Sequence, residues 1–387
     1  MTESREAFHV PRPAASESAA CKRIVPDDAS RFRRNNFDFL RLMMALMVVY
    51  SHAFALYLGS ERQETMSLLT NGFYNSGNVG VWVFFIISGF LITHSFERSS
   101  SAAHYLAKRI RRIYPAYLMA TAICAFVVTP VFAPASFTLT IEDVMRAIAG
   151  NLLLGNSFPL PELFRANPHA AINGSLWSIK YEFLCYIGVA VLGAAGLLKR
   201  RQAVVALYVL VVIIWCWLDA TGRHPGGTPL IREVIGWPYR WFWVLPNFLA
   251  GMIAYLYRDL WRRSVLIGVA GVAACLIVFH LPGQPVLATV AAHLLVPPAL
   301  AYLVFWFAFH PAINLHRTSR FGDFSYGTYL YAFAIQQMLI AELNLNFLTF
   351  ILLSMGAALL AGVASWFLVE RHFVARQSDQ AHCFDGR

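Results

Sequence analysis

The chain has 387 residues, 58% of them hydrophobic and only 13% charged, with a mean hydropathy of +0.54. A soluble domain carries about twice that charged fraction, and the long apolar blocks here exceed what a water-soluble globule of this size can bury, so lipid must be their solvent. The net charge of +10 does not indicate nucleic acid, because the cations fall in short clusters between apolar blocks, the pattern that orients a membrane protein.

Residues 1–34 hold three prolines, many small polar residues and no apolar core. They read as a disordered, basic, cytoplasmic tail, neither signal peptide nor span. Ten apolar segments follow, near 38–58, 78–96, 113–133, 183–198, 203–219, 241–257, 264–281, 286–309, 325–343 and 347–369. The fourth is short and is expected to extend upstream through Ser175–Glu182. With the N-terminus inside, 23 of the 31 Lys and Arg fall on the cytoplasmic side and seven outside, with Arg41 within a span. That asymmetry supports this threading. The predicted fold is therefore all-α: a polytopic integral membrane protein of about ten transmembrane helices. Both termini are cytoplasmic, residues 35–372 form the membrane domain, and 373–387 form a second tail. The longest outer segment, about 134–182, is rich in proline and contains an amphipathic stretch, Glu142–Leu154. It fits either a cap over an outward cavity or a plain connection. The six cysteines show no paired spacing and read as packing residues or free thiols.

Chemistry-bearing residues begin in the first span, where Arg41 and His52 lie eleven positions apart. That is about 20° from whole turns and a rise of about 16 Å, so both face one side. An arginine within a span faces protein or water, which implies a polar groove. Arg41 could instead snorkel to the headgroups, and His52 could simply hydrogen-bond a neighbouring helix. A neutral imidazole near pH 7 is, however, a competent general base. In the second span, Ser88-Gly89 reads as a close-packing pair. The cluster Lys108, Arg109, Arg111, Arg112 suits phosphates, although taken alone it reads better as a topology determinant that binds anionic lipid, and Arg109 and Arg112 share a helix face. Glu182, at the start of the fourth span, could orient an imidazole or bind a sugar hydroxyl, with Trp177 as a stacking platform. The bland reading is an interfacial belt in which Lys180 pairs with Glu182 or lipid. The ninth span is unusually polar from Ser325 to Gln337, so those groups should face other helices or a cavity. No His pair has metal-ligand spacing, and no metal site is expected.

Several segments, in order, resemble the acyltransferase 3 family of membrane acyltransferases. They are FDFLR and its following His over Phe37–His52, GVWVFFIISGFLI over Gly80–Ile92, RIRRIYPAYL over Arg109–Leu118, SLWSIKYEF over Ser175–Phe183, FGDFSYGTYL over Phe321–Leu330, and VER over Val369–Arg371. The resemblance implies transfer of an acyl group, usually acetyl from acetyl-CoA, to a hydroxyl of a bacterial polysaccharide, lipopolysaccharide, lipo-oligosaccharide or other exported glycan. The location would be the bacterial cytoplasmic (inner) membrane. It implies catalytic roles for His52 and Arg41, a matching acidic residue in Glu182, and a basic pair in Arg109 and Arg112. The chain departs from the family pattern at Ala332 and Ala334, where many relatives have His and Pro, and at His372.

The working expectation is that CoA phosphates dock near Arg109, Arg111, Arg112 and Arg41. The pantetheine arm runs along the first helix, and His52 deprotonates a glycan hydroxyl arriving from outside. Acyl-CoA is a donor substrate, with no permanently bound cofactor. The other partners expected are a glycan or lipid-linked glycan acceptor and membrane lipid, and no nucleic acid. A route through acyl-His52 is equally compatible. The rival class is a transporter or exporter using Arg41 and His52 as ion- or proton-relay groups, against which stands the near absence of mid-span Asp and Glu. A purely structural membrane partner would tolerate replacement of both residues.

Overall fold

The computed structural model describes residues 34–283 and 285–374. It is 72% helical, with no strands among the described residues. The principal helices are α1 (Phe37–Leu58), α2 (Ser76–Glu97), α3 (Ala102–Ile123), α4 (Ile141–Leu152), α5 (Trp177–Ala194), α6 (Arg201–Ala220), α7 (Arg240–Leu256), α8 (Val265–Phe279), α9 (Pro285–Ala308), α10 (Ser325–Glu342) and α11 (Phe347–Ser365). Six of the described helices are long and apolar enough to cross a membrane: α1, α2, α3 with its continuation to Phe132, α6, α9, and α11 with its continuation to Val374. The chain is an integral membrane protein. The other four predicted segments coincide with α5, α7, α8 and α10, and α4 is the amphipathic stretch. The tails expected at 1–34 and 373–387 lie outside the described residues, apart from Arg34, Phe373 and Val374.

One helix start differs from the sequence expectation and another agrees with it, and both matter for the site. Helix α3 starts at Ala102, capped by Ser101 Oγ accepting from His104 N at 3.1 Å. The basic cluster Lys108–Arg112 therefore lies within the helix, ahead of the apolar segment predicted from 113. Apolarity marks where a helix meets lipid, whereas capping marks where it begins. Helix α5 begins at Trp177, in line with the expected upstream extension of the fourth segment, and this sets Glu182 more than a turn inside the helix.

Glycines set how closely the central helices approach. A Cβ on Gly89 of α2 would lie 2.0 Å from the Phe248 carbonyl oxygen, and one on Gly251 of α7 would lie 2.0 Å from that of Ile86. The two backbones thus touch, as expected where lipid gives helices no hydrophobic drive to associate and packing must do so. Helices α10 and α11 meet similarly, with Gly362 against Thr328. The start of α1 is anchored by Phe37, whose ring packs on Phe90, Phe305 and Phe309 at 5.3–6.1 Å. Asn36 bonds the Phe307 and Ile313 carbonyls beside it. The polar groups of α10 face protein: Gln336 donates to the Val49 carbonyl, Gln337 to those of His169 and Ala171, and Tyr326 to that of Ile113. Satisfying these donors inside the bundle is what makes so polar a helix tolerable there.

Candidate active site

Two cavities lie along α1. One, of about 250 Å³, is lined by Arg41, Lys108, Arg109, Arg112, Ser88, Glu182, Tyr186 and Tyr326. The other, of about 640 Å³, is lined by Ser51, His52, Glu61, Arg62, Asn75, Asn78, Trp177, Tyr239, Arg240 and Trp243. Val81 of α2 and Tyr329 of α10 line both, so they form the partition between them. The Tyr329 hydroxyl donates to the Ser175 carbonyl at 2.6 Å and accepts from Ser178 Oγ at 2.7 Å, which fixes the ring at this throat. Arg41 and His52 thus open into adjoining chambers from one face of one helix.

At the arginine end, opposite charges are paired. Asp323 Oδ2 lies 2.5 Å from Arg112 Nη2 and 3.8 Å from Arg41 Nη1, and Arg112 Nη1 is 3.0 Å from Glu370 Oε2. Ser325 Oγ donates to Asp323 at 2.5 Å and Ser365 Oγ to Glu370 at 2.9 Å. The network ties α1 and α3 to the segments flanking α10 and α11. Arg109 differs: its Nε is buried with no hydrogen-bond partner. Arg111 is exposed and does not line the cavity, which corrects the expectation that it joins Arg109 and Arg112 around a donor phosphate; Lys108 lines it instead. At 100° per residue, positions 108, 109 and 112 share a face that 111 does not.

Glu182 is also at this end. Its Oε1 accepts from Ser88 Oγ at 2.7 Å and from Tyr186 OH at 2.5 Å. It does not hydrogen-bond His52, so the expectation that it orients the imidazole is not met. Ser88 therefore supplies a polar contact beyond packing. Lys180 donates to the Glu233 carbonyl and not to Glu182.

At the histidine end, polar atoms are left open. His52 Nδ1 and Ser51 Oγ are buried without partners, and the imidazole meets the ring of Phe333 edge-on at 5.3 Å. Trp177 lies under the Arg240 guanidinium at 4.9 Å. Glu61 is half-buried and receives Asn75 Nδ2 at 2.5 Å. Burial pushes its carboxyl above the usual range, opposed by the Asn75 hydrogen bond, with Glu64 adding to the rise and His169 opposing it.

Residues 34–369 match the family model Acyl_transf_3, described as an acyltransferase domain. The chain belongs to the acyltransferase 3 family. It is accordingly an acyltransferase. It is 30% identical over 347 residues to an "O-acetyl transferase" of Shigella phage Sf6, covering 89% of this chain and 98% of that protein. It is 30% identical to "Nodulation protein 10" of Rhizobium leguminosarum bv. viciae, covering 81% and 86%. It is 26% identical to "Acyltransferase MdmB" of Streptomyces mycarofaciens, covering 76% and 77%. No solved structure matches it.

Within this acyltransferase 3 chain, the departures at Ala332 and Ala334 are accommodated by packing. Ala332 is buried with Val49 and Ala358, and Phe333 between them supplies the contact with His52. Sequence reasoning missed Asp323 and Glu370 as partners of the arginines. The signal was present, because an arginine within a span needs a counter-ion and both acids lie in the family-like motifs, FGDFSYGTYL and VER. It also missed Glu61, Arg62, Asn75 and Asn78, which sit in the linker before α2 and at that helix's capped start, where no periodicity draws attention.

Proposed function

We propose that this acyltransferase moves an acetyl group from acetyl-CoA, bound from the cytoplasm, to a hydroxyl of a cell-surface or exported glycan. The observation that carries the reading is the pair of cavities on one face of α1, the smaller with Arg41, Lys108, Arg109 and Arg112, the larger with His52, sharing Val81 and Tyr329. CoA phosphates are taken by Arg109 and Lys108, with Arg41 and Arg112 adding positive potential. The thioester reaches the throat, and the glycan fills the larger chamber. His52 takes the proton of the acceptor hydroxyl as its oxygen attacks the thioester carbonyl. The C–S bond breaks, the proton passes to the departing thiolate, and the products are the O-acyl glycan and CoA. The acetyl group agrees with the name of the phage relative.

The same proposal includes ten spans, with α5, α7, α8 and α10 crossing alongside the six longer helices, and both termini in the cytoplasm of a bacterium. The concentration of 23 of 31 Lys and Arg on one side supports it. The donor chamber then opens inward and the His52 chamber outward.

The test is mass spectrometry of surface glycans from a deletion strain complemented with wild type, His52→Ala or Arg41→Ala at matched expression. An acetyl-sized mass restored by wild type and lost with His52→Ala is expected. Full restoration by His52→Ala would remove the histidine from the chemistry.

A further inference from the structure

The segment joining α1 to α2 contributes no group to the acyl transfer itself, yet it builds part of the His52 chamber. Helix α1 stops at Gly59, whose φ of 68° is in the left-handed region that glycine adopts without strain. The chain then folds around Glu64, which is fully buried and accepts from Ser67 N at 2.9 Å, Ser76 N at 3.2 Å and Ser76 Oγ at 2.5 Å. Asn75 and Asn78 cap α2 reciprocally, at 2.7 and 3.2 Å. These bonds hold the linker as a fixed shelf and not a loose loop.

On that shelf, Glu61 faces the chamber with one oxygen occupied and one open. Oε2 receives Asn75 Nδ2 at 2.5 Å, and Oε1 has no partner among the described residues. Asn75 and Asn78 line the same chamber, as do the aromatic side chains of Trp177, Tyr239 and Trp243. A carboxylate is an acceptor-only group, so it binds hydroxyl donors and repels anions. Aromatic faces take the apolar side of a ring while polar groups take its edge. A carboxylate that shares a chamber with the general base is therefore suited to a ring carrying several hydroxyls, of which only one reacts.

We propose that Glu61 accepts a hydrogen bond, through Oε1, from a second hydroxyl of the acceptor sugar while His52 acts on the first, so that Glu61 selects which hydroxyl is acylated. This rests on the reading of the larger chamber as the acceptor side. Glu61 is then a substrate-binding residue, and Glu64 and Asn75 are positioning residues that hold it.

The experiment uses membrane vesicles containing the full chain, acetyl-CoA as donor, and glycan purified from the deletion strain as acceptor. The variants are Glu61→Gln, which keeps the side-chain size and can still accept from Asn75, and His52→Ala. For Glu61→Gln, the expected result is an acceptor KM raised about tenfold or more, as loss of a charge-assisted hydrogen bond predicts. The KM for acetyl-CoA should stay within about twofold, and mass and NMR analysis should find acetyl at more than one ring position. An unchanged acceptor KM with acetyl at a single position would overturn the assignment of Glu61. If His52→Ala transfers acetyl at the wild-type rate, the reading of the His52 chamber as the acceptor side fails instead, so the two failures are distinct. Should Glu61→Gln not accumulate, Glu61→Asp takes its place, with its charge one methylene further back. A raised acceptor KM and scattered acetyl positions then support the assignment, and wild-type behaviour overturns it.

Discussion

The two ends of α1 solve opposite problems with charged and polar side chains. Around Arg41 and Arg112, Asp323 and Glu370 neutralise the guanidiniums and two serines complete the carboxylates' hydrogen bonds. Around His52, the Nδ1 atom and the neighbouring Ser51 Oγ remain without partners, and Glu61 keeps one oxygen open. An uncompensated charge in the interior destabilises far more than an unpaired neutral group. Arg41 and Arg112 are accordingly tied, whereas a neutral imidazole can be left unpaired for a substrate. Much of the first chamber is a clamp between helices that leaves Arg109 free, and the second is an open site.

The largest expected effect comes from breaking the open end. His52→Ala should lower transfer by about 100- to 10,000-fold, the usual worth of a general base, while the unfolding midpoint in detergent stays near that of wild type. Single-turnover transfer and a thermal melt check both halves. A melt lowered as much as the activity would make His52 part of the clamp.

Breaking the clamp should do the reverse. Asp323→Asn leaves Arg112 with Glu370 alone and Arg41 with the more exposed Asp38, 3.9 Å away. A stability loss of about 3 kcal/mol is expected, as for removal of one partner of a buried ion pair. Denaturant or thermal unfolding of the purified protein measures it. Unchanged stability would reassign Asp323 to the open class.

The free arginine sharpens the comparison. Arg109→Gln removes a guanidinium whose Nε has no protein partner, so it should raise the KM for acyl-CoA about tenfold with little change in the melt. The smallest effect belongs to Arg111→Gln, expected within about twofold of wild type in both KM and melt, because the side chain is exposed and away from the chamber. A donor KM that moved with Arg111 and not with Arg109 would reverse the assignment made from their orientations.

The helices were legible because most of the apolar blocks are longer than a soluble core needs, and lipid-facing helices announce themselves by composition. The shared face of Arg41 and His52 was legible too, since helical rotation depends only on spacing. The partners were not. Glu182 lies on the same chain segment as Trp177, yet helix α5 turns Trp177 toward the His52 chamber and Glu182 toward the arginines. That division depends on where α5 begins and which helices surround it.

The sequence by itself determined that the protein is a helical membrane protein, that its cations are asymmetrically distributed, and that one helix carries an arginine and a histidine on one side. Those are properties of local composition and periodicity. Only the tertiary structure decided that Asp323 and Glu370 hold Arg112, that Tyr329 stands between two chambers, and that Glu61 looks into the one with His52. Each of these contacts joins residues from separate helices or linkers, and spacing along the chain carries no information about which helix faces will meet.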